Sequence, residues 1–389
     1  MCMFPALLGL AVFGLITSTV FAGMVAAGAR RHLRSRSIEA QWAEYTPALS
    51  LLKPLHGSEP DLEANLSTFF EQDYPAYELL FCAREASDAG LAIARQVAAR
   101  YPDVPARFFS TGELRYINAK VHSMEVMSAA AAHDILVISD SDVRVAPDYL
   151  RAVARPFADA KTGAMTCLYR GVAAQGGLWA RLEAVGMSIE MTAGVLVANM
   201  LEGMQFVLGP TMAVRRECVD AMGGMGILGD YCADDYILGN QVFLQGRTVQ
   251  LSHHAIDHLI LNSGLLDSLK HQVRWMKSTR FSRPKGHFGT ALTFSMPFAL
   301  LALVAAMGMG RPWLGVMLLA WGIATRWVIA WAAGHKVVRD PSWFGLLALY
   351  PIRDLMGFGF WAASYLSNKI VWRGRVFELM TGGKMRAAE

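Results

Sequence analysis

Two aspartates stand two residues apart where an apolar run ends: Ile135 to Ile138 lead straight into Ser139-Asp140-Ser141-Asp142. On a loop that closes a strand, the carboxylates of such a D-x-D can point to the same side. Their hard oxygens suit a divalent cation such as magnesium or manganese. A cation held there can bridge to phosphate oxygens and stabilise a departing diphosphate. A bare D-x-D is more often an ordinary turn, because Asp and Ser favour turns. The reading therefore depends on what else the chain carries.

Two further stretches supply chemistry. "GDYCADDYILG" sets Asp234 and Asp235 ahead of an apolar helical pattern. They read either as acids favoured at a helix start or as a general base for a hydroxyl nucleophile. "LKHQVRWMKSTRFSR" gathers Lys270, Arg274, Lys277, Arg280 and Arg283 around Trp275. It reads as a basic amphipathic helix at a membrane surface, and it also offers an arginine for a diphosphate and a tryptophan to stack under a sugar. His253, His254 and His258 in "SHHAIDH" lack matching acid spacing, so no second metal is expected there. Met187, Met191, Met200 and Met204 read as adaptable packing of a kind that suits acyl chains.

These groups need a scaffold. Between about Leu51 and Ser282, short apolar runs alternate with helical patterns. "ALSLLKPLHG" reads as strand then loop, 61–70 as a helix, "YELLFCA" as a strand and 90–100 as a helix. "ARFFS" is a short strand, 121–132 a helix and "DILVIS" a strand. Such alternation predicts an α/β fold, a mostly parallel sheet with helices on both faces. Ligands of such sheets sit at the carboxyl ends of strands, which is where Asp140 and Asp142 lie.

The 389 residues are 54% hydrophobic and 17% charged, with a mean hydropathy of +0.30. That is too apolar for a plain soluble enzyme and too charged for membrane spans alone. The net charge of +4 fits an anionic membrane face or ligand and gives no support for nucleic acid. Five scattered cysteines (Cys2, Cys82, Cys167, Cys218, Cys232) form no CxxC pair, which favours a reducing compartment.

Residues 1–29 carry no charge and are long enough to cross a bilayer. Arg30, Arg31, Arg34 and Arg36 follow, so the positive-inside rule places what comes next in the cytoplasm. The expected layout is an anchor over 1–29, a cytoplasmic catalytic domain over 30–285, membrane helices over 286–368 and a cytoplasmic tail over 369–389. Two clean spans, 288–308 and 313–334, join at "MGRP". Lys369, Arg373, Arg375, Lys384 and Arg386 favour a cytoplasmic end, which requires an odd number of spans. The run 343–367, broken by Pro351, Arg353 and Asp354, is then re-entrant or interfacial. The apolar run 184–209 holds Glu190 and Glu202 and is read as a helix lying against the membrane or lining a lipid groove. Arg326, Arg353 and Asp354 sit in apolar surroundings where unpaired charge is costly, so pairing among them is expected.

The order of these motifs resembles membrane-bound inverting glycosyltransferases of the GT-A fold. "KPLHGSEPDLEANLSTFFEQDYPAYELLFC", "YINAKV", "VISDSDVRVAPDYL", "LGPTMAVRRE" and "ADDYILG" resemble ceramide glucosyltransferases and their bacterial relatives, including hopanoid-associated glycosyltransferases. The resemblance runs in order over roughly residues 50–285. It implies that the backbone at Pro54 and Leu55 touches a uridine, that Asp88 (or Glu85) holds the uracil, and that Lys120 lies near the nucleotide. It implies Asp140 and Asp142 as the metal motif, Asp142 the direct ligand, and Asp235 as the catalytic base. Arg274 and Trp275 match the end of a (Q/R)xxRW motif. Its first position is His271 here, and Gln272 follows one place later.

The implied activity is transfer of a sugar from a UDP-sugar, with a divalent metal, to a lipid hydroxyl of ceramide or hopanoid type. It would occur at the cytoplasmic face of a bacterial inner membrane or its equivalent, with inversion at the anomeric carbon. A processive polysaccharide synthase of related fold would need more spans. An inactive membrane scaffold would not need Asp140, Asp142 and Asp235 intact. No feature specifies an oligomeric state.

Overall fold

The computed structural model describes residues 3–261, 264–372 and 374–388, without the side chains of 38–40. Cys2 and Arg373 therefore lie outside the described residues. Eight strands form the main sheet: β1 (Leu49–Pro54), β2 (Tyr77–Ala83), β3 (Ala106–Ser110), β4 (Ile135–Ile138), β5 (Val143–Arg144), β6 (Thr162–Val172), β7 (Met212–Arg215) and β8 (Thr248–Leu259). Their order is β3-β2-β1-β4-β7-β6-β8-β5.

The β3-β2-β1-β4 portion is parallel throughout. β1 and β4 are buried almost along their whole length, as expected of parallel strands covered on both faces. The right-handed rule for parallel crossovers sets helices Leu62–Phe70 and Ala89–Ala98 on one face and helix Ala119–Ala130 on the other. The expected architecture is present, with one refinement. β7 enters antiparallel between β4 and β6, and β5 pairs antiparallel with β8, so the second half of the sheet is mixed. β1 and β4 are neighbours whose chains leave in opposite directions, a switch point of the kind that binds ligands.

Among the described residues, three helices are long and apolar enough to cross a membrane: Met3–Ser37, Leu178–Glu202 and Pro312–Val337. A fourth span arises if Pro284–Thr293 and Met296–Gly308, bent by 44°, count as one. The break has a visible cause. Asp354 accepts from the backbone N–H of Ser295 (2.9 Å) and Met296 (2.7 Å), which satisfies donors freed at a new helix start. Its other oxygen pairs with Arg326 at 2.6 Å. Arg353 pairs outside the expected set, with Glu190 at 2.8 Å. With these charges paired, helix Trp343–Ala363 runs unbroken through Pro351.

The long first helix docks on Leu178–Glu202. A methyl on Gly28 would sit 2.9 Å from the carbonyl oxygen of Leu196, and Arg31 Nη1 donates to the Met200 carbonyl at 3.0 Å. Met187 and Met204 are buried and Met191 is exposed. Residues of the expected tail form a three-stranded antiparallel sheet: β9 (Lys369–Trp372), β10 (Arg375–Leu379) and β11 (Met385–Ala387). Ile370, Phe377, Leu379 and Met385 bury against Cys232, with Ile117 and Phe281 packed alongside. Cys82, Cys167, Cys218 and Cys232 are buried.

Candidate active site

β4 stops where Ser139-Asp140-Ser141-Asp142 takes over, and the chain passes at once into edge strand β5. The register Val143↔His258 on β8 brings His258 beside Asp142. His258 Nε2 lies 3.1 Å from Asp142 Oδ2, and Leu259 N–H donates to the Asp142 carbonyl at 2.8 Å. Loss of surrounding water pushes the Asp142 carboxyl up, but His258 and Lys53 outweigh it, so the group is held below its ordinary range. Asp142 Oδ1 is buried without a hydrogen-bond partner. An orphaned carboxylate oxygen of this kind is costly and fits a cation. Among the described residues no three His, Cys, Asp or Glu side chains could hold a metal by themselves. A cation here would therefore complete its shell from its ligand.

Asp140 is bridged by Lys120 Nζ at 2.7 Å, and the same ammonium lies 3.6 Å from Asp234. Loss of water lowers the Lys120 pKa, yet the two acids outweigh it and the net shift is upward, so Lys120 stays charged. Lys120 is placed by Asn118, whose side chain caps helix Ala119–Ala130 by accepting from Lys120 N–H at 3.1 Å. The Asn118 amide also donates to Asp234 Oδ1 at 3.3 Å.

Asp235 follows on the first turn of helix Asp234–Leu244. It accepts from Tyr236 N–H (2.7 Å) and Gly209 N–H (2.9 Å). Loss of water and the neighbouring Asp234 raise its pKa to about 6. A methyl on Gly209 would stand 3.4 Å from Asp235 Oδ2 and 3.6 Å from Asp140 Oδ2. The metal-motif acid and the base candidate thus converge on one point at the carboxyl edge of the sheet.

Pro54, Leu55 and Lys120 line one small cleft with His56, Arg84 and Ser123. Asp88 stands behind it. Its carboxylate accepts from Gly57 N–H at 3.0 Å and caps helix Ala89–Ala98 through Gly90 N–H at 2.8 Å. Glu85 instead pairs with Arg84 on the surface at 3.2 Å. Arg274 lies 6.0 Å from the Trp372 ring. It lies near enough to Cys232 for its charge to act on that thiol, as do those of Asp234 and Asp235. Trp275 is half-buried, with the His271 ring 4.4 Å away. Gln272 is turned inward, its amide spent on Ser268 Oγ at 3.0 Å. The three histidines of "SHHAIDH" go to three places: His253 to Ser35 and His32 on the first helix, His254 toward Asp148 and His258 to Asp142.

Lys53, Gly209 and Glu183 escape the sequence reading. Lys53 is fully buried at the end of β1. It donates to the Asp140 carbonyl (2.6 Å) and Ser139 Oγ (3.3 Å), and lies 3.6 Å from the Phe69 ring. Burial pushes its pKa down to about 7. A lysine inside the otherwise apolar "LSLLKP" was its visible signal. Glu183 falls one residue before the apolar run 184–209, so the boundary of that run hid it.

The model of glycosyl transferase family 21 matches residues 11–385. The chain is 24% identical over 347 residues to ceramide glucosyltransferase 1 of Caenorhabditis elegans, covering 88% of this chain and 74% of that protein. It is 25% identical over 345 residues to ceramide glucosyltransferase 3 of the same organism, covering 87% and 74%. Among solved structures, it is similar to a mannosyltransferase of Pyrobaculum calidifontis in complex with GDP-Man and Mn2+. That match has 18% identity and a TM-score of 0.46, and covers 88% of this chain and 98% of the other.

Proposed function

The chain belongs to glycosyl transferase family 21, and on that premise we propose that it transfers one sugar from a UDP-sugar to the hydroxyl of a membrane lipid, with inversion at the anomeric carbon. It is a hexosyltransferase of the ceramide glucosyltransferase kind, associated with the membrane through its apolar helices. The observation that carries the finer reading is the approach of Asp140 and Asp235 to the same point beside Gly209. One acid faces a diphosphate and the other faces the incoming hydroxyl.

Asp235 takes the proton of the acceptor hydroxyl as its oxygen attacks the anomeric carbon opposite the diphosphate. The new glycosidic bond forms as the bond to the diphosphate oxygen breaks, and the proton stays on the Asp235 carboxyl. A divalent cation held by Asp140 and Asp142 would supply positive charge to the diphosphate oxygens. Lys120 adds fixed positive charge beside Asp140. Pro54 and Leu55 border the nucleobase. Asp88 acts indirectly by fixing Gly57 after β1. Arg274 faces the diphosphate, Trp275 supports the sugar, and His271 rather than Gln272 takes the first position of the motif, because Gln272 faces the interior.

The acceptor class is ceramide-like or hopanoid, and the catalytic half faces the cytoplasm, supported by Arg30, Arg31, Arg34 and Arg36 after the first span. Helix Leu178–Glu202 lies between Asp140 and Asp235 in sequence. If it crossed alone, the two acids would be on opposite sides, so we assign it to the near face, where more than half of its apolar stretch is already buried by protein. Cysteines introduced near residue 215 should label only from the cytoplasmic side. Labelling from outside overturns that placement.

The function is tested by incubating membranes holding the protein with several UDP-sugars and both lipid classes, then weighing the products. One added hexose per lipid is expected. A ladder of products would mean a processive synthase, and no UDP release with any pair would overturn the reading.

A further inference from the structure

Glu183 is a carboxylate 1% exposed on the helix that ends at Glu202. Burying a charged group is costly unless it is fully hydrogen-bonded. Two short contacts meet that need: Ser268 Oγ donates at 2.6 Å and His271 Nδ1 lies 2.7 Å away. Both partners sit on helix Leu265–Ser282, which carries Arg274 and Trp275. Gln272 adds to the same centre through its bond to Ser268. His271 in turn packs its ring against Trp275. Ser268, His271 and Gln272 therefore all lead back to one carboxylate.

That carboxylate has little room to move. A methyl on Gly171 of β6 would come within 2.5 Å of Ala184 Cα, and one on Gly186 within 2.4 Å of Arg353 Nε. The backbone flanking Glu183 is thus clamped by the sheet on one side and by the Arg353–Glu190 pair on the other.

We infer that Glu183 is a positioning residue for sugar transfer. It locks the His271–Trp275 edge of the sugar platform to the helix along which the lipid acceptor is presented, and so fixes sugar and acceptor in one frame. The inference rests on the function proposed above. The nucleotide cleft is lined by Pro54, Leu55, His56, Arg84, Ala119, Lys120 and Ser123, whereas the Glu183 contacts lead to the helix of Arg274 and Trp275, so its loss should disturb the geometry of transfer more than nucleotide binding.

The test compares Glu183→Gln with wild type for turnover and for UDP affinity. Misplacement on the order of 1 Å can cost about 10²-fold in rate. Turnover is expected to fall about 10- to 100-fold, with UDP affinity within about twofold. Adding His271→Ala to Glu183→Gln should cost less than the sum of the two single losses, because both residues act through one contact. A structural role of Glu183 apart from His271 predicts additive losses. Should Glu183→Gln fail to accumulate, Ser268→Ala, which removes one of the two bonds, is read in the same way and should show a smaller fall in turnover at unchanged UDP affinity. Wild-type turnover in both variants, or parallel loss of UDP binding and turnover, overturns the positioning role. A wild type that transfers no sugar overturns the underlying function instead, so the two failures are told apart.

Discussion

The wall of the cleft formed by β1 and β4 takes its polar groups from strand ends and the loops that follow them. Lys53, Pro54, Asp140 and Asp142 lie on two adjacent parallel strands or just past them, and Lys120 enters from the helix between β3 and β4. The opposite wall is assembled from distant pieces. His271 meets Glu183 across 88 positions of chain. Met385 N–H donates to the Asp230 carbonyl at 2.6 Å, and Cys232 N–H to that of Gly383 at 3.2 Å. The first wall can be exact because a parallel sheet sets its register. The second depends on packing between elements that no ladder holds, and so should be the more easily detuned. Donor binding and acceptor chemistry should therefore fail separately.

The sharpest separation is expected at Asp235. Asp235→Asn keeps size and one of the two backbone contacts but cannot accept a proton. General-base catalysis is worth roughly 10²–10⁴-fold, so turnover should fall by about that factor with donor affinity nearly unchanged. The base must be ionised to act, and its pKa is raised to about 6. Wild-type turnover should therefore climb as pH rises through about 6 and flatten above it. The variant should lose that limb. Asp234→Asn should cost less, because Asp234 is turned toward Asn118 and Lys120. If Asp234→Asn is the more damaging of the two, the base belongs to Asp234.

Asp142→Ala breaks the other wall. It removes the orphaned oxygen that suits a cation and the partner of His258. Manganese-dependent UDP affinity should fall at least as far as the roughly 10- to 100-fold typical of losing an outer-sphere partner, while the protein stays folded by thermal melting. Unchanged manganese-dependent affinity would remove the metal from Asp142.

The same contrast explains what was legible in the sequence. "DILVIS" followed by D-x-D announces a buried strand and the loop that carries Asp140 and Asp142 from contiguous residues, and β2 and β3 fall at the expected positions for the same reason. β7 was harder to place, because "MAVR" reads the same whichever way its neighbours run, and the antiparallel half of the sheet rests on pairings across about 50–80 positions. The run 288–308 looked like one straight span because its interruption is caused by Asp354, far along the chain. Basic residues made 369–389 look like a tail. The β-branched pair Ile370-Val371 and the placing of Glu378 between Phe377 and Leu379 were the available sign of strands, and the buried partner they needed, Cys232, lies about 140 positions away.

That C-terminal sheet offers a milder test. Met385→Pro deletes the N–H that holds the Asp230 carbonyl, just upstream of the two aspartates. An unmade hydrogen bond of this kind costs about 1–3 kcal/mol. If part of that is felt as misplacement of Asp235, turnover should fall about 10-fold, since about 1.4 kcal/mol in the barrier is tenfold in rate. UDP affinity should hold. Equal loss of both would mean that the sheet supports the whole cleft rather than its second wall.

Asp88→Asn should have the smallest effect, and it decides whether this acid touches the nucleotide. Its two oxygens are occupied by the N–H groups of Gly57 and Gly90, so in this arrangement it caps a helix and pins the loop after Pro54. Asn keeps one acceptor oxygen and is itself a good capping residue, so stability should fall by well under the ~1 kcal/mol that full loss of a cap brings. UDP affinity should drop no more than about twofold, because the loop would still be held. Asp88→Ala removes both bonds and should show the full ~1 kcal/mol by denaturant melting, with a larger loss of UDP affinity. A carboxylate that binds uracil directly predicts another order. Asn, which presents an N–H₂ where the acid presents oxygen, would then weaken UDP nearly as much as Ala while leaving stability almost unchanged. Measuring both variants for melting and for UDP affinity separates a loop held in shape from a base held in hand.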